Sequence, residues 1–320
     1  LLLAGLINLR AQPEIGKLRT EYLVNPLGLD CERPRLSWII RSDAPGSMQQ
    51  AYEIRSALNE RDLEKGRKLL WETGWVESDQ STLVPYDGPD LESLQRVYWQ
   101  VRIRDNHGKK SKWSAPACWE MGLLGPSEWK AAWISPPWKE DPEVSNPSPY
   151  MRRAFSLKGK VQKASLVISS HGLYQAEING EKVDDQLFTP GWTSYHKRLQ
   201  YQVYDVSSLL RSGENVIGVV LGDGWFRGRL AWKDRRNVYG EKLALVAQLH
   251  VSYTDGSEEV IISDENWKAS TGPILESDIY NGELYDANRE LEGWSLTGFD
   301  DQGWEAASVV KLPTDGRLVA

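Results

Sequence analysis

The chain has 320 residues, 40% of them hydrophobic, with 27 Gly, 16 Pro and a formal charge of −7, enough for two domains with separate cores. No Lys/Arg-rich block accompanies the acidic balance, which argues against nucleic acid and anionic membrane as partners. Fifteen Trp and thirteen Tyr against four Phe favour side chains with an apolar body and a polar edge, suited to carbohydrate contact and equally to β-sandwich cores.

Leu1-Leu-Leu-Ala-Gly-Leu-Ile7, followed by Asn8-Leu-Arg-Ala-Gln12, reads as the tail of a secretory leader cleaved near Ala11. With the tail it makes up residues 1–17 and predicts an exported protein, periplasmic or extracellular. The competing reading is a short apolar strand or a frayed terminus. No other run approaches the length of a membrane span.

From 18 to 124, short β-type runs alternate with turn residues: Arg19–Val24, Arg35–Arg41, Ala51–Ala57, Lys68–Val76, Val97–Asp105 and Ala117–Leu123. In Tyr98-Trp-Gln-Val-Arg-Ile-Arg104 the apolar Trp99, Val101 and Ile103 take every second position, giving one dry face and one wet face. Asp105-Asn-His-Gly108 supplies a tight turn. About seven strands over roughly a hundred residues predict an immunoglobulin-like sandwich. Cys31 and Cys118 both fall here, and their spacing leaves a bridge and two unpaired thiols equally open.

Residues 125–149 carry six prolines, interleaved with Trp129, Trp133 and Trp138, and predict a stiff linker at a domain boundary. From 150 to 313 the β pattern resumes in Met151–Leu157, Ala164–Ser170, Leu173–Ile178, Gln200–Tyr204, Asn215–Leu221, Lys242–Tyr253 and Glu259–Ser263. Asn179-Gly180 and Asp255-Gly256 mark hairpins, and Asp205 or Ser207 would cap a short helical turn. Trp294 and Trp304 read as closing packing residues, and the four histidines as structural. Leu318-Val-Ala320 reads as an unpaired opening strand, so 314–320 predicts the truncated start of a further domain and the chain a fragment.

Two runs concentrate the groups that grip sugars: Gly222-Asp-Gly-Trp-Phe-Arg-Gly-Arg-Leu230 and Asp278-Ile-Tyr-Asn-Gly-Glu-Leu-Tyr-Asp-Ala-Asn288. Asp223, Arg227, Arg229, Asn281 and Glu283 can bond vicinal hydroxyls, while Trp225, Tyr280 and Tyr285 offer flat faces. Both runs are expected to be long loops that form one surface. The same residues suit docking on another domain. A calcium reading takes Asp223, Asp278, Asn281 and Asp286 as ligands; no cofactor is otherwise called for. A catalytic reading pairs Glu283 with Asp286 or Asp278, but neighbouring acids in one loop more often cap turns, and no catalytic residue is assigned.

The Tyr98–Trp113 progression resembles fibronectin type III modules, and the later half, with Arg152-Arg-Ala-Phe155, Asn179-Gly180 and Gly213-Glu-Asn215, resembles the jelly-roll (galactose-binding-like) sugar-binding domains of glycoside hydrolases. The two runs, and nearly the whole chain after its first dozen residues, resemble the N-terminal region of bacterial α-L-rhamnosidases. That resemblance implies an all-β, non-catalytic accessory region. Its partners would be rhamnose-containing glycans and a downstream catalytic (α/α)6 barrel that hydrolyses terminal α-L-rhamnose with inversion, and some relatives hold rhamnose through calcium. The alternative is a free-standing carbohydrate-binding lectin or structural adhesion module.

Overall fold

A computed structural model of the chain describes residues 12–230, 232, 234–311 and 317–320; the leader-like residues 1–11 lie outside them. The architecture is all-β, and the chain divides between Leu124 and Gly125 into two compact units.

In the first unit Arg35–Arg41 pairs with Glu14–Thr20 and with Val84–Pro85, and a second sheet runs Trp71–Glu72, Gln49–Ala57, Arg96–Asp105, Ala117–Glu120. The expected alternation is present: Trp99, Val101 and Ile103 are fully buried and share a core with Leu36 and Trp38 of the other sheet. This is an immunoglobulin-like sandwich. Arg19–Val24 is a strand end followed by a turn, because Glu21 and Tyr22 adopt φ of 49° and 67°, which no ladder accommodates. Lys68–Val76 yields only Trp71–Glu72 and the start of Val76–Glu77, parted at Gly74. A helix at Glu60–Glu64, capped by Asn59 accepting from Asp62 N–H, was not foreseen. Both cysteines are free, Cys31 exposed.

The second unit is a sandwich of two six-stranded sheets. One is ordered Glu181–Lys182, Leu173–Ile178, Gly213–Gly222, Pro149–Leu157, Lys268–Thr271, Glu305–Ala306. The other is built on Ala244–Tyr253, flanked by Val161–His171 and by Ile134–Ser135, with Glu258–Ile262 also paired to it. Every second residue of the central strands enters a common core: Ile217, Val219 and Leu221 from one sheet, Leu245, Ala247 and Leu249 from the other. That period of two is what a half-buried strand imposes.

Four expectations change here. The proline-rich stretch is not a free linker but part of the sandwich. Ile134–Ser135 pairs with Ala244–Tyr253 and Ser308–Val309, and Gln248, fully buried, accepts from Lys130 N–H at 2.9 Å and donates to Glu128 C=O at 3.1 Å. Trp133 meets His171 at 4.9 Å, and Trp129 meets Tyr201 at 5.3 Å. The expected Gln200–Tyr204 strand breaks at Tyr201, and Arg317–Val319, expected to be unpaired, joins Arg198–Gln200 in parallel. Asp205 caps a turn rather than a helix, accepting from Ser207 N–H and Oγ–H at 3.1 and 2.6 Å.

Gln248→Ala would remove the side-chain partner of the part-buried Lys130 N–H and Glu128 C=O, at about 1–3 kcal/mol. Urea unfolding of the second unit should report that loss; an unchanged midpoint would mean that residues 125–135 are not held in this way.

Candidate functional site

The two sugar-gripping runs are adjacent, but neither is a loose loop. Asp278-to-Asn288 contains the turn and second strand of a hairpin, Ile274–Asp278 with Gly282–Tyr285, and then a 3-10 turn, Ala287–Arg289. The first run folds into a single helical turn, Gly224–Arg227. Gly224 has φ +53, and a Cβ there would lie 2.5 Å from Leu173 Cγ, so only glycine lets the turn sit so close to the neighbouring strand. The turn sends Phe226 into the core against His171 and Tyr195, and leaves Trp225 half-buried at the surface.

Asp278 ties the runs together. Its Oδ2 accepts from Arg229 N–H at 2.8 Å, and its Oδ1 accepts from Tyr280 N–H and Asn281 N–H at 2.8 and 3.1 Å. Asp223 N–H also donates to Ser277 C=O at 3.2 Å. Beneath them lies a buried ionic cluster. Arg227, 1% exposed, donates to Asp223 at 2.7 Å and to Glu140 at 2.5 Å. Arg236 reaches the other oxygen of Asp223 at 3.2 Å. Arg229 pairs with Asp234 at 2.6 Å and approaches Glu276 at 3.4 Å.

Most expected ligand groups are therefore consumed internally. Asp223, Arg227 and Asp278 are buried, and Arg229 is spent on carboxylates. Asn281 donates to Glu276 at 3.4 Å, and Tyr285 donates to Glu290 at 2.6 Å. Tyr280, Glu283 and Tyr285 remain exposed on the hairpin. Of the four groups read as calcium ligands, three are otherwise engaged. Asp223 is neutralised by two arginines, Asp278 is filled by backbone donors, and Asp286 caps the 3-10 turn through Asn288 N–H at 3.1 Å. Among the described residues no group of three or more His, Cys, Asp or Glu could hold a metal ion. The pairing of Glu283 with Asp278 or Asp286 meets the same competition, since Asp278 is already engaged by backbone N–H groups and Asp286 by Asn288.

The runs did not announce what surrounds Trp225. Trp192 stacks on it at 5.9 Å with planes 4° apart, Phe188 meets it at 5.8 Å, and Trp192 Nε1–H donates to Tyr239 Oη at 3.1 Å. Leu187, Phe188 and Trp192 are more than half exposed, so an aromatic strip faces solvent. Its signal in the sequence was Leu187-Phe-Thr-Pro-Gly-Trp192, large apolar residues inside a Pro-Gly turn. A second feature, a cleft of about 270 Å3 on the outer face of the Leu173–Ile178 sheet, is lined by Tyr150, Gln175, Glu177, Phe188, Ser277 and Trp294 among others. Trp294 does pack, edge to face on Tyr150 at 5.1 Å, but it also walls this cleft.

Burial raises the Asp223 and Glu140 carboxyls above their ordinary range, with Arg227 only partly offsetting it. A folded-state pKa above the unfolded one contributes stability that is complete below the ordinary value and is lost as pH rises through the raised one. His171 has the opposite sign: burial lowers it to about 4, so its contribution is present above the ordinary histidine value and is lost as pH falls towards about 4. Arg227→Met leaves Glu140 without its arginine and Asp223 with Arg236 alone, and should cost about 3–5 kcal/mol near neutrality. The deficit should shrink on acidification, as measured by urea unfolding at about pH 8 and about pH 5; equal deficits would refute the charge account. His171→Phe should flatten the wild-type loss of stability below about pH 6.5.

The family described as the α-L-rhamnosidase N-terminal domain matches residues 159–320, and that described as the Rha78A-like N-terminal immunoglobulin domain matches residues 15–125. An α-L-rhamnosidase of Formosa agariphila is 40% identical over 306 residues, covering 93% of this chain and 33% of that protein. The crystal structure of native α-L-rhamnosidase from Aspergillus terreus superposes with a TM-score of 0.90 at 35% identity, over 96% of this chain and 35% of the other. The Streptomyces avermitilis α-L-rhamnosidase complexed with L-rhamnose gives 0.90 at 28% identity, over 96% of this chain and 46% of the other. The chain thus spans about a third of the length of the Formosa relative. With an immunoglobulin-like unit followed by this sandwich, the chain belongs to the α-L-rhamnosidase N-terminal domain family.

Proposed function

We propose that the chain is the non-catalytic N-terminal region of an exported α-L-rhamnosidase, and that its second unit seats the catalytic region of that enzyme and keeps rhamnose-containing glycan beside it. The observation that carries this reading is the solvent-facing strip Leu187, Phe188, Trp192 with Trp225. Contiguous exposed apolar surface of this kind marks interaction sites, and Trp and Phe are the residues enriched at the centres of interfaces. The buried Asp223, Arg227 and Glu140 cannot reach a partner; they stiffen the base on which the strip stands. The length of the relatives supplies the occupant, a further region of the same protein. In that region one carboxylic acid would protonate the leaving oxygen and a carboxylate would activate water.

The test uses the complete protein carrying Phe188→Asp with Trp192→Asp. Charges in an apolar seat should split one cooperative melt into two transitions. Hydrolysis of p-nitrophenyl α-L-rhamnopyranoside should fall several-fold. A single melt at the wild-type temperature with full activity would exclude the strip as the seat.

A further inference from the structure

The cleft on the outer face of the second unit follows from one strand's side-chain pattern. In Gly213–Gly222 the inward positions are Ile217, Val219 and Leu221, which leaves Gly218, Val220 and Gly222 to the outer face. The strand beside it turns Tyr174, Ala176 and Ile178 inward and Leu173, Gln175 and Glu177 outward. Small residues on one strand next to long polar ones on the other produce a depression with an apolar floor and a polar side.

Its walls come from three other places. The Trp294 ring lies against Gly218, where a Cβ would fall 2.5 Å from the ring, and Tyr150 stands edge-on to Trp294 at 5.1 Å. Ser277, on the hairpin, sits over Gly222, with its Oγ 2.7 Å from where a Cβ would be. Phe188 forms the rim and joins the cleft to the aromatic strip. Glu177 is fixed rather than free: its Oε2 accepts from Ser295 Oγ–H at 2.6 Å, and Gln175 Nε2 lies 3.5 Å from its Oε1.

We propose that this cleft is a subsite for one neutral pyranose. The inference deepens the functional reading above and rests on it. A volume of about 270 Å3 lies just under the ~300 Å3 at which sites for drug-sized ligands begin, room for one sugar ring and not for a chain of them. Tyr150, Trp294 and Phe188 offer apolar faces to C–H surfaces. Gln175 can both donate and accept, Ser277 likewise, and the Glu177 carboxylate accepts from hydroxyls. No lining residue is basic, so Glu177 would repel a uronate or a sugar phosphate and admits a neutral ring. A sugar held here would lie beside Phe188, at the edge of the proposed seat.

Calorimetry on the 320-residue chain, with methyl α-L-rhamnopyranoside and D-galacturonate as probes, decides the matter. Saturable binding of the neutral glycoside and none of the uronate is expected. Gln175→Trp, at an exposed strand position, fills the cleft and should abolish binding. Glu177→Gln should weaken the neutral glycoside at least fivefold and bring the uronate within reach. Val309→Ala, exposed on the opposite sheet, should leave affinity unchanged. The absence of saturable binding, or wild-type affinity in folded Gln175→Trp together with Glu177→Gln, overturns the subsite. Because the seat is read out by melting of the complete protein, either idea can fail while the other stands.

Discussion

The second unit depends on the guanidinium of Arg227, held out of water between Asp223 and Glu140. Each carboxylate comes from a different stretch of chain: Asp223 from the end of a central strand, Glu140 from the proline-rich entry segment. An isolated charge at that depth would be untenable, and a lone pair would gain little over packed hydrocarbon. Sharing one guanidinium instead makes the segments interdependent, since losing Arg227 leaves Glu140 unpaired and Asp223 with Arg236 alone. Asp278 extends the same logic to the hairpin through backbone donors.

This explains why Asp223, Arg227 and Asp278 turn out to be scaffold. Acids and arginines close together in a glycine-rich run are chemically ambiguous between ligand contact and internal pairing. Burial resolves the ambiguity: a group that has surrendered its water to a counter-charge has nothing left to offer a hydroxyl. The proposed function falls accordingly to groups the cluster leaves exposed. These are the rings of Phe188, Trp192 and Trp225, and the polar edge of the cleft at Gln175 and Glu177.

Alternation made the long strands legible, as in Tyr98–Arg104 and Asn215–Leu221, because a half-buried strand must place apolar residues at every second position. Two-residue strands such as Ile134–Ser135 carry no period and were hidden among prolines. The helical turn Gly224–Arg227 was masked by glycines that are poor helix formers yet are required by contact with Leu173. The Asp223 and Arg227 spacing of four, a helical signature, was the one clue to that turn. Adjacency of the two runs could be anticipated from their composition. The cleft could not, because its lining is drawn from strands more than a hundred residues apart in the sequence, and its defining feature is the smallness of Gly218 and Gly222.

The hold of Gln248 and Ile134–Ser135 on the entry segment has a practical side. Anyone dissecting such proteins by composition would place the second domain's start near Tyr150, after the last proline. A gene fragment cut there would lack the strand beside Leu245, the ring over His171, the backbone partners of Gln248 and the counter-ion of Arg227. The boundary that respects the physics lies some two dozen residues earlier, at Gly125, and proline content is a poor guide to where one folding unit yields to the next.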